Sequence, residues 1–188
     1  MIWNIPNTLT VIRLLAAPLV AVMFLYFTRP YADIFAVVLF VGAAITDWFD
    51  GYLARKLNQQ SALGAFIDPL ADKLMVISAL LLIVTRHPEN NWLLFSALII
   101  ISREIFISSL REWMSGMGES KVVAVSFFGK AKTVAQMFAL LFLIYEQDIL
   151  GFPVYHFGTG LMVWAAILTI VSMVIYINSA WQTLTTSN

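Results

Sequence analysis

The stretch IFAVVLFVGAAITDWFDGYLA, residues 34–54, joins a long apolar run to two aspartates. Residues 34–46 carry no charge, but a helix needs about 20 residues to cross a bilayer. The helix must therefore extend into the charged flank, which places Asp47 and Asp50 on the span itself, near one end. Carboxylates at such a depth are costly and usually functional. This stretch therefore indicates a membrane fold and a polar site within it.

Similar apolar runs recur along the chain, which is 61% hydrophobic, against about 45–50% in soluble domains. Extending each run into its charged flank predicts six spans: residues 7–28, 34–54, 68–86, 92–112, 125–145 and 157–180. The predicted fold class is all-α, a polytopic membrane protein with six transmembrane helices, since a β-barrel would need alternating segments of about ten residues. One domain over residues 1–188 is expected at this length, and a removable signal peptide is not expected.

Lys and Arg predict the orientation, because the cytoplasmic flanks of spans are enriched in both residues. With the N-terminus inside, nine of the 11 fall on inner flanks: Arg13, Arg55, Lys56, Lys73, Arg103, Arg111, Lys121, Lys130 and Lys132. Only Arg29 and Arg86 fall outside. The second span then runs inward and the third starts inside. The acidic blocks 47–50 and 68–72 should therefore meet in a polar cavity that faces the cytoplasm, in the inner membrane of the cell.

The four aspartates of these blocks form a suitable ligand set for divalent cations. Asp47 and Asp50 are three residues apart and Asp68 and Asp72 are four apart, so each pair lines one helical face. Converging carboxylates repel one another unless cations neutralise them, and oxygen ligands suit Mg²⁺ or Mn²⁺. Four carboxylates can bridge two ions about 3.5–4 Å apart, as in phosphoryl-transfer sites. The chain has no Cys, which disfavours zinc; each aspartate taken singly could also be a solvated helix end.

Small and basic residues accompany the aspartates at fixed intervals. Gly51 is a poor helix former, which indicates the close approach of a ligand or a neighbouring helix. Ala54 shares the helical face of the first aspartate, and Arg55 is suited to clamp an anion there. Gly64 is expected in a tight turn before the second block. The complete string is Asp47-x2-Asp50-Gly51-x2-Ala54-Arg55-x8-Gly64-x3-Asp68-x3-Asp72.

This string resembles, at every position, the signature of the CDP-alcohol phosphatidyltransferase family. The resemblance implies a six-helix membrane enzyme, usually a homodimer, in which an alcohol attacks a CDP-linked lipid and CMP is released. It implies that the four aspartates bind two divalent cations and that Asp72 is also the general base, although the spacing alone does not say which aspartate is the base. It also implies that Gly51, Arg55 and Ser61 contact the CDP group. Ala54 would leave room for this group, and Gly64 would be part of the same site.

Cations outside the string suggest the second substrate. Arg103 and Arg111 lie eight residues apart, on roughly one face of the fourth span, and Lys130 and Lys132 open the fifth. Up to four cations near one pocket favour an acceptor with a phosphate group. Two alternatives remain open. These residues could anchor the cytoplasmic side, or the arginines could pair with the glutamates beside them or across helices.

Three further stretches, residues 4–13, 103–113 and 129–133, resemble members of the family that use sn-glycerol 3-phosphate. The resemblance implies CDP-diacylglycerol and sn-glycerol 3-phosphate as substrates, with the acceptor phosphate held by the four cations. It places Asn7 and Thr8 near the nucleotide or the entrance of the site. Asn7 is equally suited to cap the first helix.

The expected function is therefore the transfer of a phosphatidyl group from CDP-diacylglycerol to sn-glycerol 3-phosphate. One rival hypothesis changes the acceptor to inositol phosphate, serine or phosphatidylglycerol, but an uncharged acceptor would leave the cations without a role. The other is a small cation transporter, although transporters place their sites near the midplane and often contain repeats. A formal net charge of zero gives no sign of nucleic acid as a partner.

Overall fold

The structure, a computed structural model, describes residues 5–56, 62–117 and 127–186. These residues form six α-helices and loops that connect them. The helices are α1 Ile5–Tyr26, α2 Tyr31–Lys56, α3 Ala62–Arg86, α4 Asn91–Gly116, α5 Phe127–Tyr145 and α6 Val154–Thr186. These described ranges contain no strand. The predicted all-α fold with six helices is therefore confirmed.

Two of the helices are long and apolar enough to cross a membrane, judged by length and composition. They are α4, over its whole length, and α6, over Val154–Trp181. Shorter apolar segments occupy Asn7–Val20 of α1 and Tyr31–Thr46 of α2. Six transmembrane spans stay a prediction.

The observed helix boundaries differ from those expected near Gly64 and Asn7. Gly64 lies inside α3, which begins at Ala62, so the predicted tight turn before Asp68 is wrong. A single glycine costs only about 1 kcal/mol in a helix, and the apolar residues around it favour extending α3 by one and a half turns. Asn7 lies within α1 rather than at its start, so it does not cap this helix.

Contacts between residues divide the chain into two compact units. The first contains Met1–Arg86 and Leu141–Val154, and the second contains His87–Leu140 and Tyr155–Asn188. In the first unit, α1 packs against both α2 and α3, the helices that carry the acidic blocks.

One face of α1 is buried at helical spacing and changes in character along its length. Among the α1 side chains that the structure describes, the buried ones are Asn7, Thr10, Arg13, Ala17 and Val20. The first three are polar and the last two apolar, so α1 turns a polar surface inward at its N-terminal half. In the second unit, Ile107 and Met114 of α4 form a core with Tyr176 and Ala180 of α6.

Candidate active site

Helix α1 holds the two aspartates of α3 in place. The Thr10 hydroxyl donates a hydrogen bond to Asp68 Oδ1 at 2.5 Å, and Arg13 Nη1 donates to Asp72 Oδ1 at 2.8 Å. The donors are three residues apart on α1 and the acceptors four apart on α3, so the contacts join one helical face to another. Each carboxylate is therefore oriented by a neighbouring helix.

The donors are buried, whereas the carboxylates stay accessible. Arg13 is 2% exposed, but the side chain of Asp72 is 49% exposed. Asp68 is partly exposed, and within the part of the chain that the structure describes its Oδ2 has no hydrogen-bond partner. Carboxylates that are fixed from behind and open in front are suited to bind a cation or a substrate.

The remaining signature residues lie on α2 or just beyond it. Asp47, Asp50, Gly51, Ala54 and Arg55 are part of α2, but their side chains are outside what the structure describes. Ser61 lies outside the described residues altogether. The described side chains alone contain no group of three metal-binding residues, so the convergence of all four aspartates stays a prediction.

The two α1 residues predicted near the nucleotide differ in their surroundings. Asn7 is buried and shares its face of α1 with Thr10 and Arg13, so it belongs to the same polar surface. Thr8 is exposed and lies on another side of the helix. Gly64 is buried within α3, one turn before Asp68.

Two of the four predicted acceptor cations come together in the second unit around Glu104. Glu104 Oε1 accepts from Arg103 Nη1 at 3.2 Å and also from the Lys132 ammonium. We call Arg103, Glu104 and Lys132 the Glu104 cluster. The pairing of Arg103 with its adjacent glutamate, which the sequence left open, therefore occurs, and Lys132 pairs with the same glutamate across helices.

Arg103 has further partners on α6. Its Nη2 lies 3.4 Å from Ser172 Oγ, and its guanidinium lies 5.6 Å from the centre of the Tyr176 ring, within cation–π range. Both cations of the cluster are buried. Arg103 is thus oriented on three sides, as expected of a side chain with a fixed role rather than a solvated anchor.

The other two cations do not join the Glu104 cluster. Arg111 is exposed. On the helical wheel it lies within about 40° of Ile100 and Ile107, which are buried, so this face of α4 is buried at those two residues but not at Arg111. Lys130 is exposed and points about 160° away from Lys132, since residues two apart face nearly opposite sides of a helix. The four cations therefore have different surroundings.

Thr10, Arg13 and Glu104 are the residues whose roles the sequence did not reveal. Thr10 and Arg13 lie in the stretch 4–13 that resembles the family, and the sequence predicts Arg13 only as a cation on an inner flank; their spacing of three with Asn7 was the available signal. Glu104 had no such signal, because its pairing with Lys132 joins residues 28 positions apart.

The family follows from this helical fold, the paired aspartates and a direct comparison. The family model for CDP-alcohol phosphatidyltransferases matches residues 3–173, so the chain belongs to that family, and the predicted resemblance is confirmed. Among curated relatives, it is 45% identical over 178 residues to the CDP-diacylglycerol–glycerol-3-phosphate 3-phosphatidyltransferase of Salmonella choleraesuis, with 95% of each chain covered. A relative of the same name from Shigella flexneri serotype 5b is 44% identical over the same shares.

A third relative of that name, from Cereibacter sphaeroides, is 52% identical over 141 residues. That alignment covers 75% of this chain and 63% of the relative. All three relatives carry the same enzyme name, and two match along nearly the whole chain.

Proposed function

We propose that this chain is a membrane enzyme that transfers a phosphatidyl group from CDP-diacylglycerol to sn-glycerol 3-phosphate, giving phosphatidylglycerophosphate and CMP. The structural observation that carries the proposal is the pair Asp68 and Asp72, held by α1 and still accessible. Family membership supports the reaction type. The names of relatives that match 95% of the chain support this donor and this acceptor.

Two divalent cations, Mg²⁺ or Mn²⁺, complete the proposed site. Their ligands would be Asp47, Asp50, Asp68 and Asp72. The carboxylates fit this role, because hard cations prefer oxygen ligands and the two described aspartates are partly exposed. When bound, the cations would neutralise the charge of the CDP pyrophosphate.

Asp72 is the proposed general base. Its carboxylate takes the proton of the acceptor hydroxyl while the hydroxyl oxygen bonds to the phosphorus that carries the diacylglycerol group. The bond from that phosphorus to CMP breaks in the same step. Arg13 binds Asp72 Oδ1 and so fixes the direction from which the carboxylate meets the hydroxyl. Direct attack is proposed because no Cys occurs and no dedicated nucleophile accompanies the aspartates in the sequence.

Substrate contacts are proposed for two sets of residues. The CDP group would be bound by Asn7, Thr8, Gly51, Ala54, Arg55, Ser61 and Gly64. The acceptor phosphate would be held by Arg103, Arg111, Lys130 and Lys132. The buried position of Asn7 on the face of Thr10 and Arg13 supports the first set, and the fixed orientation of Arg103 supports the second.

The proposed setting is a single domain over residues 1–188 that crosses the inner membrane six times and works as a homodimer. Its site faces the cytoplasm. The six described helices, two of them long and apolar enough to cross a membrane, and the excess of Lys and Arg on the predicted inner flanks support this arrangement.

CMP release by the purified protein in detergent tests the function. Release should require CDP-diacylglycerol, sn-glycerol 3-phosphate and Mg²⁺ or Mn²⁺ together. A chelator should stop it, and added cation should restore it. Folded protein that releases no CMP under these conditions would contradict the proposal. Faster release with inositol phosphate, serine or phosphatidylglycerol would instead change the acceptor.

A further inference from the structure

Gln136 is a buried polar residue that the mechanism above does not use. It lies on α5 and is 4% exposed. Its side-chain oxygen is buried and has no hydrogen-bond partner within the described part of the chain. Such atoms are rare in folded proteins and usually bind a water molecule or a ligand. An apolar residue would fill this position without that cost, as Ala139, Leu140 and Leu143 do farther along the same face.

The position of Gln136 connects it to the Glu104 cluster. It follows Lys132 by four residues, so the two side chains leave α5 on the same face, about 6 Å apart at their Cβ atoms. Lys132 itself is directed to Glu104 on α4. The unpaired side-chain oxygen therefore belongs to a residue one helical turn from a buried ammonium group with a fixed partner.

The charge of the Glu104 cluster indicates the kind of ligand expected beside Gln136. Two cations share one carboxylate, which leaves an excess positive charge among buried groups. Buried charge is unfavourable unless it is compensated, and an anionic ligand would compensate it. A phosphate offers no carbon-bound hydroxyl to Gln136, whereas a phosphorylated polyol offers both an anion and a hydroxyl.

We propose that Gln136 determines acceptor specificity: its amide hydrogen-bonds the secondary hydroxyl of the phosphorylated polyol whose phosphate is attracted by Lys132. This inference rests on the proposed function and deepens it. The acceptor uses one hydroxyl as the nucleophile, and the second hydroxyl is left for recognition. The unpaired atom is the side-chain oxygen of Gln136, and the secondary hydroxyl satisfies it by donating a hydrogen bond.

The experiment compares two acceptors in two proteins. The acceptors are sn-glycerol 3-phosphate and 3-hydroxypropyl phosphate, which keeps the primary hydroxyl and the phosphate but lacks the secondary hydroxyl. The proteins are the unaltered chain and Gln136→Leu, which keeps the side-chain volume nearly constant. The unaltered protein should prefer sn-glycerol 3-phosphate in kcat/KM. Gln136→Leu should reduce that preference by about 10- to 100-fold, with the KM for CDP-diacylglycerol unchanged.

Thr133→Val is the matched control on α5. Thr133 is exposed, and among the described residues its hydroxyl bonds only the Gly129 carbonyl, at 2.9 Å, so this variant should keep the acceptor preference. If Gln136→Leu does not fold, Gln136→Met supplies the same test with a more flexible side chain. An unchanged preference in the folded variant would overturn the role of Gln136. If the unaltered protein released no CMP with sn-glycerol 3-phosphate, the proposed function itself would fail, so the two failures are distinguishable.

Discussion

Two regions of the first unit contain ion pairs between arginines and acidic residues, but they differ in which partner is buried. At the candidate site, the cation Arg13 is buried and its partner Asp72 is 49% exposed. In the second region, a network of Arg29, Asp33, Arg86 and Glu146, the anion Asp33 is fully buried and Arg29 is 47% exposed. We call these four residues the ion-pair network.

The ion-pair network compensates its buried carboxylate from two directions. Arg86 contacts Asp33 at 2.7 Å and Glu146 at 3.3 Å. Arg29 contacts Glu146 and approaches Asp33 at 3.7 Å. These contacts join the loop between α1 and α2, the start of α2 and the end of α3 to the loop after α5. An inward-facing acid whose charge is compensated by two arginines stabilises packing, whereas an outward-facing acid held from behind can bind a ligand. Exposure of the acid, rather than the existence of an ion pair, separates the two roles.

The largest effect is expected for Asp72→Asn, which removes the proposed base but keeps the shape of the side chain. CMP formation should fall by about 10²–10⁴-fold in kcat, with a much smaller change in the affinity for CDP-diacylglycerol. Turnover and lipid binding measured on the same preparation check this. Asp148→Asn, at an exposed aspartate in the loop between α5 and α6, is the matched control and should keep full activity. Equal losses of turnover and affinity would argue against Asp72 as the base.

Arg86→Met should act on stability instead. It leaves the buried Asp33 without its closest partner, which costs about 3–5 kcal/mol when a buried ion pair is broken. Unfolding in mixed micelles with increasing SDS measures the loss. The double variant Asp33→Leu/Arg86→Met should recover much of it, because neither charge is then left unpaired. A loss of activity in the folded single variant, without a loss of stability, would show that the two regions are not distinct in role.

Thr10→Val tests whether α1 positions the carboxylates. The variant keeps the shape of Thr10 but removes the hydrogen bond to Asp68 Oδ1. Groups that orient metal ligands typically contribute about 10- to 100-fold to metal affinity, so the Mg²⁺ or Mn²⁺ concentration for half-maximal CMP release should rise by that factor. Thr10→Ser keeps the hydroxyl and should stay close to the unaltered protein. An unchanged cation requirement in Thr10→Val would mean that the hydrogen bond is only structural.

Arg29→Met should have the smallest effect. Its side chain is 47% exposed, and partly exposed ion pairs contribute about 0–1 kcal/mol. The same SDS titration should show a loss well below that of Arg86→Met, with normal CMP release. A loss as large as that of Arg86→Met would mean that burial does not rank the members of the ion-pair network.

Much of the fold could be predicted because its signals are local. Apolar runs between charged flanks located six helices, and the spacing of Asp68 and Asp72 placed both on one face of α3. Helix ends were less predictable, as Gly64 and Asn7 show. Helix propensities differ by only about 1 kcal/mol per residue, and packing between helices outweighs such differences.

The chemistry of the aspartate string and the family were readable from residue types at fixed intervals, because a helix converts intervals of three and four into a shared face. The roles of the individual charged residues could not be predicted in this way. Whether Asp72 is exposed and Asp33 buried, whether Arg13 supports a carboxylate, and whether Lys132 meets Glu104 all depend on contacts between distant helices. Burial and pairing are properties of those contacts. The type of a charged residue is the same whether it binds a ligand or stabilises the fold, so the sequence alone does not separate the two roles.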